Sequence, residues 1–319
     1  MTHAPDPPHR PWQGVALALA GAAGFATKPI LIKLAYGHTE AVDAVTLLTL
    51  RMGLALPFFL GMALWSEWRH AGPPTERADW LRLVALGLLG YYLSSLLDFS
   101  GLALVPASLE RLILFLYPTF VLLLGALLHG QRVRPAQWAA LVVSYAGLWL
   151  VFAGGGRPDA GTARGTLLVL ASAASFALFL VGSGRLIPRF GARRFTAWSM
   201  VVSCLAMGLH FALTRPLATL QVGAPVWGLA AAVALFATVL PAFLMNAGIK
   251  RLGAGQVALI GNSGPVITLA LAWGVLGERL TPRQMLGAGL VLVGVALVTR
   301  RRPAAAATSD QAPASKRRP

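Results

Sequence analysis

The sequence predicts an all-α polytopic membrane protein, with ten transmembrane helices arranged as two inverted five-helix repeats. Three observations carry that prediction. Of 319 residues, 56% are hydrophobic and 12% are charged, against roughly 25% charged in a soluble protein. Ten apolar runs of about twenty residues are each long enough to cross a hydrocarbon core of about 30 Å as a helix. Finally, Asp98–Val151 recurs at Met245–Val298, shifted by 147 positions without a gap.

The first run, 14–35, is too long for a signal-peptide core and contains lysines, so it reads as a retained helix. Further runs follow at 44–65, 80–101, 105–128 and 135–153. A glycine-rich linker, 154–162, leads to runs at 163–183, 195–213, 225–247, 254–276 and 284–300. The runs are continuous rather than alternating, which favours helices over a barrel. Residues 1–13 and 301–319 read as polar tails, the second strongly basic.

The duplication orders these runs. Gly101 pairs with Gly248, Leu112-Ile113 with Leu259-Ile260, and Pro118 with Pro265. Gly130-x-Arg132-x-x-Pro135-x-Gln137 pairs with Gly277-x-Arg279-x-x-Pro282-x-Gln284. Nearer the N-terminus, Gly14 through Phe25 resembles Gly165 through Phe176, now with an offset of 151. Residues 14–153 therefore match 163–300 as repeats. Five spans per repeat is an odd number, so the second repeat enters the membrane from the opposite side.

The net charge is +16. In a soluble chain this would suggest nucleic acid. Here the basic residues cluster between the apolar runs and in the tail, so membrane topology accounts for them and no nucleic-acid partner is expected. With a cytoplasmic N-terminus, eighteen Lys and Arg fall on the cytoplasmic side, five outside and four within spans. Both termini are thus expected in the cytoplasm. The single cysteine, Cys204, excludes an intrachain disulfide and reads as a packing residue. The six histidines lack metal-ligand spacing, and no phosphate-binding loop occurs. No metal or cofactor is expected, nor is an enzyme.

Charges inside spans are costly, at least ~2.5–3.5 kcal/mol each on insertion scales, so they mark candidate sites. Lys28 lies well inside the first span and precedes Pro29, which loosens the helix. It is either an anion-binding group or a snorkelling or structurally paired lysine. Asp98 has Met245 as its counterpart, so the fold does not require an acid there. It is placed to neutralise Lys28 or Arg111, or to meet a cationic substrate group. Glu110 and Arg111 have Val257 and Ala258 as counterparts. They point about 100° apart on a helix, so they pair with different helices. They line either an outer vestibule or gate, or a structural salt bridge. Proton binding at Asp98 and Glu110 is a hypothesis resting on these two acids. Tyr92, Tyr117, Asn246, Asn262 and Ser263 offer hydrogen bonds either to a cavity or between helices. Glu278 is expected to partner Arg279 or a helix end.

The five-plus-five plan resembles the drug/metabolite transporter superfamily, in particular its EamA-type members. The matching features are Leu50-Arg51-Met52 in the second span, Pro118 and Pro265 in the fourth and ninth, and the ends Gly130-Gln131-Arg132-Val133 and Gly277-Glu278-Arg279-Leu280. The resemblance covers residues 14–300 and implies a solute carrier with a central cavity. Many such carriers export amino acids or other metabolites. Arg51 is expected to be structural rather than substrate-contacting, and Pro29, Pro118 and Pro265 to serve structure or gating. Two features depart from the family pattern: Gln131 in place of a glutamate, and the charged pair at Glu110-Arg111.

The sequence therefore predicts a secondary transporter of a small organic solute, working by alternating access in a bacterial inner membrane, with export favoured over import. Two alternatives stand beside it. A membrane-embedded enzyme on lipid-linked substrates would need a cluster of acids or histidines at one interface. A non-transporting scaffold or sensor would need a substantial soluble segment.

Overall fold

The computed structural model describes residues 11–38, 42–69, 75–130, 133–154 and 159–300. Both tails beyond them, residues 155–158 of the linker and Gln131 lie outside the described residues. Among those described, the regular structure is entirely helical.

The first half contains α1 (Pro11–His38), α2 (Ala44–Trp68), α3 (Arg77–Gly87), a π-helical segment (Leu88–Leu93), α4 (Ser94–Leu102), α5 (Ala107–Leu114), α6 (Tyr117–His129) and α7 (Pro135–Gly154). The second half contains α8 (Ala160–Phe190), α9 (Ala192–Thr214), a 3₁₀ turn (Leu217–Leu220) and α10 (Ala224–Ala234). A second π segment (Leu235–Val239), α11 (Leu240–Leu252), α12 (Ala254–Gly261), α13 (Gly264–Leu276) and α14 (Pro282–Arg300) complete it. Eight helical segments are long and apolar enough to cross a membrane, and Gly264–Leu276 and Pro282–Leu297 are shorter apolar helices. The chain is a multi-pass membrane protein.

Local chemistry explains many of the ends. Asp43 and Asp159 cap α2 and α8 by accepting from the amides of Thr46 and Thr162, at 2.8 and 2.6 Å. Gly130 and Gly277 end α6 and α13 in the left-handed region, at φ 62° and 68°, where a side chain would be strained. These glycines are 147 residues apart, and the same offset relates other boundaries. Both π segments begin at equivalent positions, Leu88 and Leu235, and α5–α6 and α12–α13 have equivalent limits.

The fourth and ninth apolar runs are not continuous helices. Each breaks at a two-residue turn, at Phe115-Leu116 and at Asn262-Ser263. Pro118 and Pro265 stand midway along these runs and fall in the first turns of α6 and α13, where the missing N–H costs nothing. This break leaves α13 too short to span alone.

Packing exchanges elements between the halves. Helix α1 lies against α10, α11, α12 and α13, while α8 lies against α3, α4, α5 and α6. Helices α2 and α9 pair, as do α7 and α14. The last pair needs glycine. A Cβ on Gly287 would stand 2.5 Å from the Gly147 carbonyl oxygen, so the two backbones touch. Cys204 is buried, with its thiol 3.7 Å from the Met52 sulfur.

Candidate functional site

The intramembrane charges of the first half converge where α1, α4 and α5 meet. Lys28 Nζ donates to Asp98 Oδ2 at 2.7 Å, with the lysine side chain 18% exposed and the aspartate 2%. The Glu110 carboxyl adjoins that of Asp98. Glu110 is fully buried, and neither of its oxygens has a hydrogen-bond partner among the described residues. It therefore lines no open vestibule. Asp98 Oδ1 is likewise buried without a partner.

Arg111, the next residue of α5, reaches α1. Its Nη2 donates to the Phe25 carbonyl at 2.9 Å. That carbonyl lies four residues before Pro29, which has no amide hydrogen to offer it. The proline opens a gap in the helix ladder, and the arginine fills it. Beside it, Thr268 Oγ1 of α13 donates to the Ala26 carbonyl at 2.9 Å. The kinked turn of α1 is thus held by groups from both broken spans.

The tyrosines and asparagines do not all join this cluster. Tyr92 is hydrogen-bonded at 2.8 Å to His210 Nδ1 of α9. Tyr117 is half-buried and meets Phe115 and Phe176 edge-on. Asn262 and Ser263 form the turn before α13, and Ser263 Oγ donates locally to the Ile260 carbonyl at 2.7 Å. Asn246 is exposed and lines a separate groove with residues of α2 and α9. Arg51 is 7% exposed. Its Nε donates to Thr238 Oγ1 at 3.1 Å, and its guanidinium lies 5.4 Å from the Phe99 ring centre. It ties α2 to the second π segment. Glu278 accepts from the Ala107 and Ser108 amides at 2.7 and 3.0 Å, and from Ser108 Oγ at 2.6 Å. It is the N-terminal cap of α5, supplied from the far half.

Sequence reasoning missed several residues. His210 and Thr238 read as a scattered histidine and an ordinary threonine. Glu67 accepts from Arg194 at 2.6 and 2.9 Å and from Trp198 Nε1 at 2.8 Å. These partners lie far apart in the chain, and no spacing links them. Ser175 Oγ, which donates to the Leu89 carbonyl of the first π segment at 2.7 Å, was equally hidden.

A bundle of broken, mutually exchanged helices with a buried charge cluster between them is the architecture of a membrane solute carrier. The EamA-like transporter family matches twice, over residues 12–153 and 163–300. The chain belongs to that family. It is similar to the uncharacterized transporter YcbK of Bacillus subtilis, 34% identical over 86% of this chain and 89% of that protein. It is also similar to the threonine/homoserine exporter RhtA of Escherichia coli, 24% identical over 75% of this chain and 77% of that one. A solved crystal structure shares the fold at TM-score 0.60, with 21% identity, covering 90% of this chain and 98% of its own.

Proposed function

We propose that the protein is a secondary transporter of a small amino-acid-like metabolite, working by alternating access and serving export. In this reading ten spans form two inverted five-helix repeats, 14–153 and 163–300, in a bacterial inner membrane with both termini cytoplasmic. The two family matches support the repeat, and so do the element boundaries that recur at a shift of 147.

The observation that carries the reading is the Lys28–Asp98 pair with Glu110 beside it. A zwitterionic solute presents a carboxylate and an ammonium close together. Its carboxylate competes with Asp98 for Lys28, and its ammonium takes the acid that this exchange releases. The name of the Escherichia coli relative supports the same substrate class.

Proton coupling follows from the two adjoining acids. In this reading an acid of the pair carries the proton that is exchanged for the substrate ammonium.

Transport by purified protein in proteoliposomes, with labelled threonine and other amino acids and an imposed pH gradient, tests both parts. Lys28→Ala is expected to lose transport, and Glu110→Gln to lose its response to the gradient. Wild-type transport by Lys28→Ala would remove the site. A gradient response that survives in Asp98→Asn and Glu110→Gln would remove the coupling.

A further inference from the structure

A groove of about 990 Å³ lies away from the charge cluster, between α2, the start of α9 and α11. None of its lining residues comes from α1, α4 or α5. Its wall is apolar and open: Phe58 is 47% exposed, Trp65 43% and Phe243 46%. One end carries Arg193 and Arg251, with Asn246 between the apolar and basic parts. No acid lines it. The Arg193 guanidinium lies 5.3 Å from the Trp65 ring centre, which fixes its position without neutralising it. Arg251 reaches only the Ala247 carbonyl of its own helix, at 3.5 Å.

The start of α9 adds to the positive field. Its N-cap is Gly191, which has no side chain to cap the first turn, and that turn holds no acid. Its first turn carries Arg193 to the groove end.

We infer that this groove is a binding site for an anionic phospholipid. The headgroup phosphate sits on Arg193, Arg251 and the start of α9, and an acyl chain lies along Phe58, Met62 and Phe243. The combination selects a lipid over a soluble anion, because two guanidiniums at a membrane surface adjoin an apolar channel that a free phosphate leaves empty. The inference uses the proposed orientation only to assign the lipid to the cytoplasmic leaflet.

Native mass spectrometry of the full-length protein tests it without any transport assay, so a failure of the transport reading leaves it standing. The probes are phosphatidylglycerol and phosphatidylcholine with identical acyl chains. The wild type is expected to retain phosphatidylglycerol preferentially. Arg193→Gln combined with Arg251→Gln is expected to weaken that retention roughly thirtyfold, since each cationic side chain near an anionic surface is worth about fivefold. Arg164→Gln, exposed at the other end of the bundle, is expected to leave it unchanged. Asn246→Asp, which puts a negative charge in the groove, is expected to weaken it and gives a second test should the double variant fail to fold. Equal retention of both lipids overturns the inference, and so does unchanged phosphatidylglycerol retention in the double variant or in Asn246→Asp. Displacement of phosphatidylglycerol by millimolar inorganic phosphate assigns a soluble-anion site instead and also overturns it.

Discussion

The surroundings of α1 and of α8 occupy equivalent places in the two halves and are built from opposite chemistry. At the offset of 151, Phe25 corresponds to Phe176 and Lys28 to Phe179. At the offset of 147, Asp98 corresponds to Met245, Glu110 to Val257 and Arg111 to Ala258. Around α1 these positions form an ion pair, an adjoining buried acid and an arginine on a freed carbonyl. On α8 itself, Phe176 and Phe179 belong to an aromatic cluster. Phe179 stacks on Phe176 and Phe195 with ring centres 5.9 and 5.8 Å apart, and Tyr91 lies 4.9 Å away. The aromatic cluster gains contact area and leaves no charge to satisfy. The charged one carries a desolvation cost that the same backbone avoids in its other copy. A feature that the fold manages without, kept at a cost, is where function is expected.

Breaking the charged side should give the largest effect. Asp98→Ala leaves the Lys28 ammonium facing an apolar interior, and removal of one partner from a buried pair costs about 3–5 kcal/mol. Thermal unfolding in detergent measures that loss, and transport should vanish with it. Replacing the pair by its counterparts, Lys28→Phe with Asp98→Met, sharpens the contrast. Stability should return to the wild-type value or rise, while transport stays absent. A double variant that transports would show that the charges only hold helices together.

The aromatic side should behave in the opposite way. Phe179→Ala removes a side chain that is 4% exposed and is expected to cost about 3 kcal/mol, the low end for such a truncation. Tyr91 and Phe176 are only half-buried and can relax into the space. Substrate preference in proteoliposomes should be unchanged. A shift in preference would place the aromatic cluster in the site.

Much of this was legible in the chain. Continuous apolar runs marked where helices lie but not their limits: the run at 163–183 is part of α8 (Ala160–Phe190), and the runs at 105–128 and 254–276 are each two helices. Lys28 with Asp98 was one of the pairings open to it, since two opposite charges in apolar spans have few other partners. The π segments were invisible. Leu88–Leu93 and Leu235–Val239 are apolar like their neighbours apart from Thr238; Ser175 from α8 donates to the Leu89 carbonyl of the first, and Thr238 of the second donates back to the Val233 carbonyl of α10. The breaks at 115–116 and 262–263 were half legible: the prolines marked them, but not which side of each proline the helix would stop. Asn246 lies on the groove between α2, α9 and α11 rather than beside Lys28, and nothing in its sequence neighbourhood tells those two places apart.

A smaller effect tests whether the halves are also stitched together across their ends. Glu278, from the second half, caps α5 with three hydrogen bonds. Glu278→Ala should cost about 1–2 kcal/mol in thermal unfolding, the range for losing a helix cap. Gln at this position should recover part of it, since an amide oxygen still accepts.

The smallest effect is expected at the exposed end, where Asp43 of the first half meets Arg215 of the second. Partial burial alone would raise the Asp43 carboxyl. The Thr46 amide and hydroxyl and the Arg215 guanidinium outweigh it and hold the carboxyl below its ordinary value of 3.8. A folded-state value below the unfolded one means that the contribution is present above pH 3.8 and is lost as pH falls through the lower, folded value. Both partners are 39% exposed, so the pair is worth only about 0.2–1 kcal/mol. Arg215→Gln should therefore lower the unfolding temperature slightly at pH 7 and by less at a pH below the folded value, with the gap shrinking in high salt. An equal loss at both pH values would mean that Arg215 acts by packing rather than by charge. At this end the junction between the halves would then owe its strength to packing, such as that of α2 on α9.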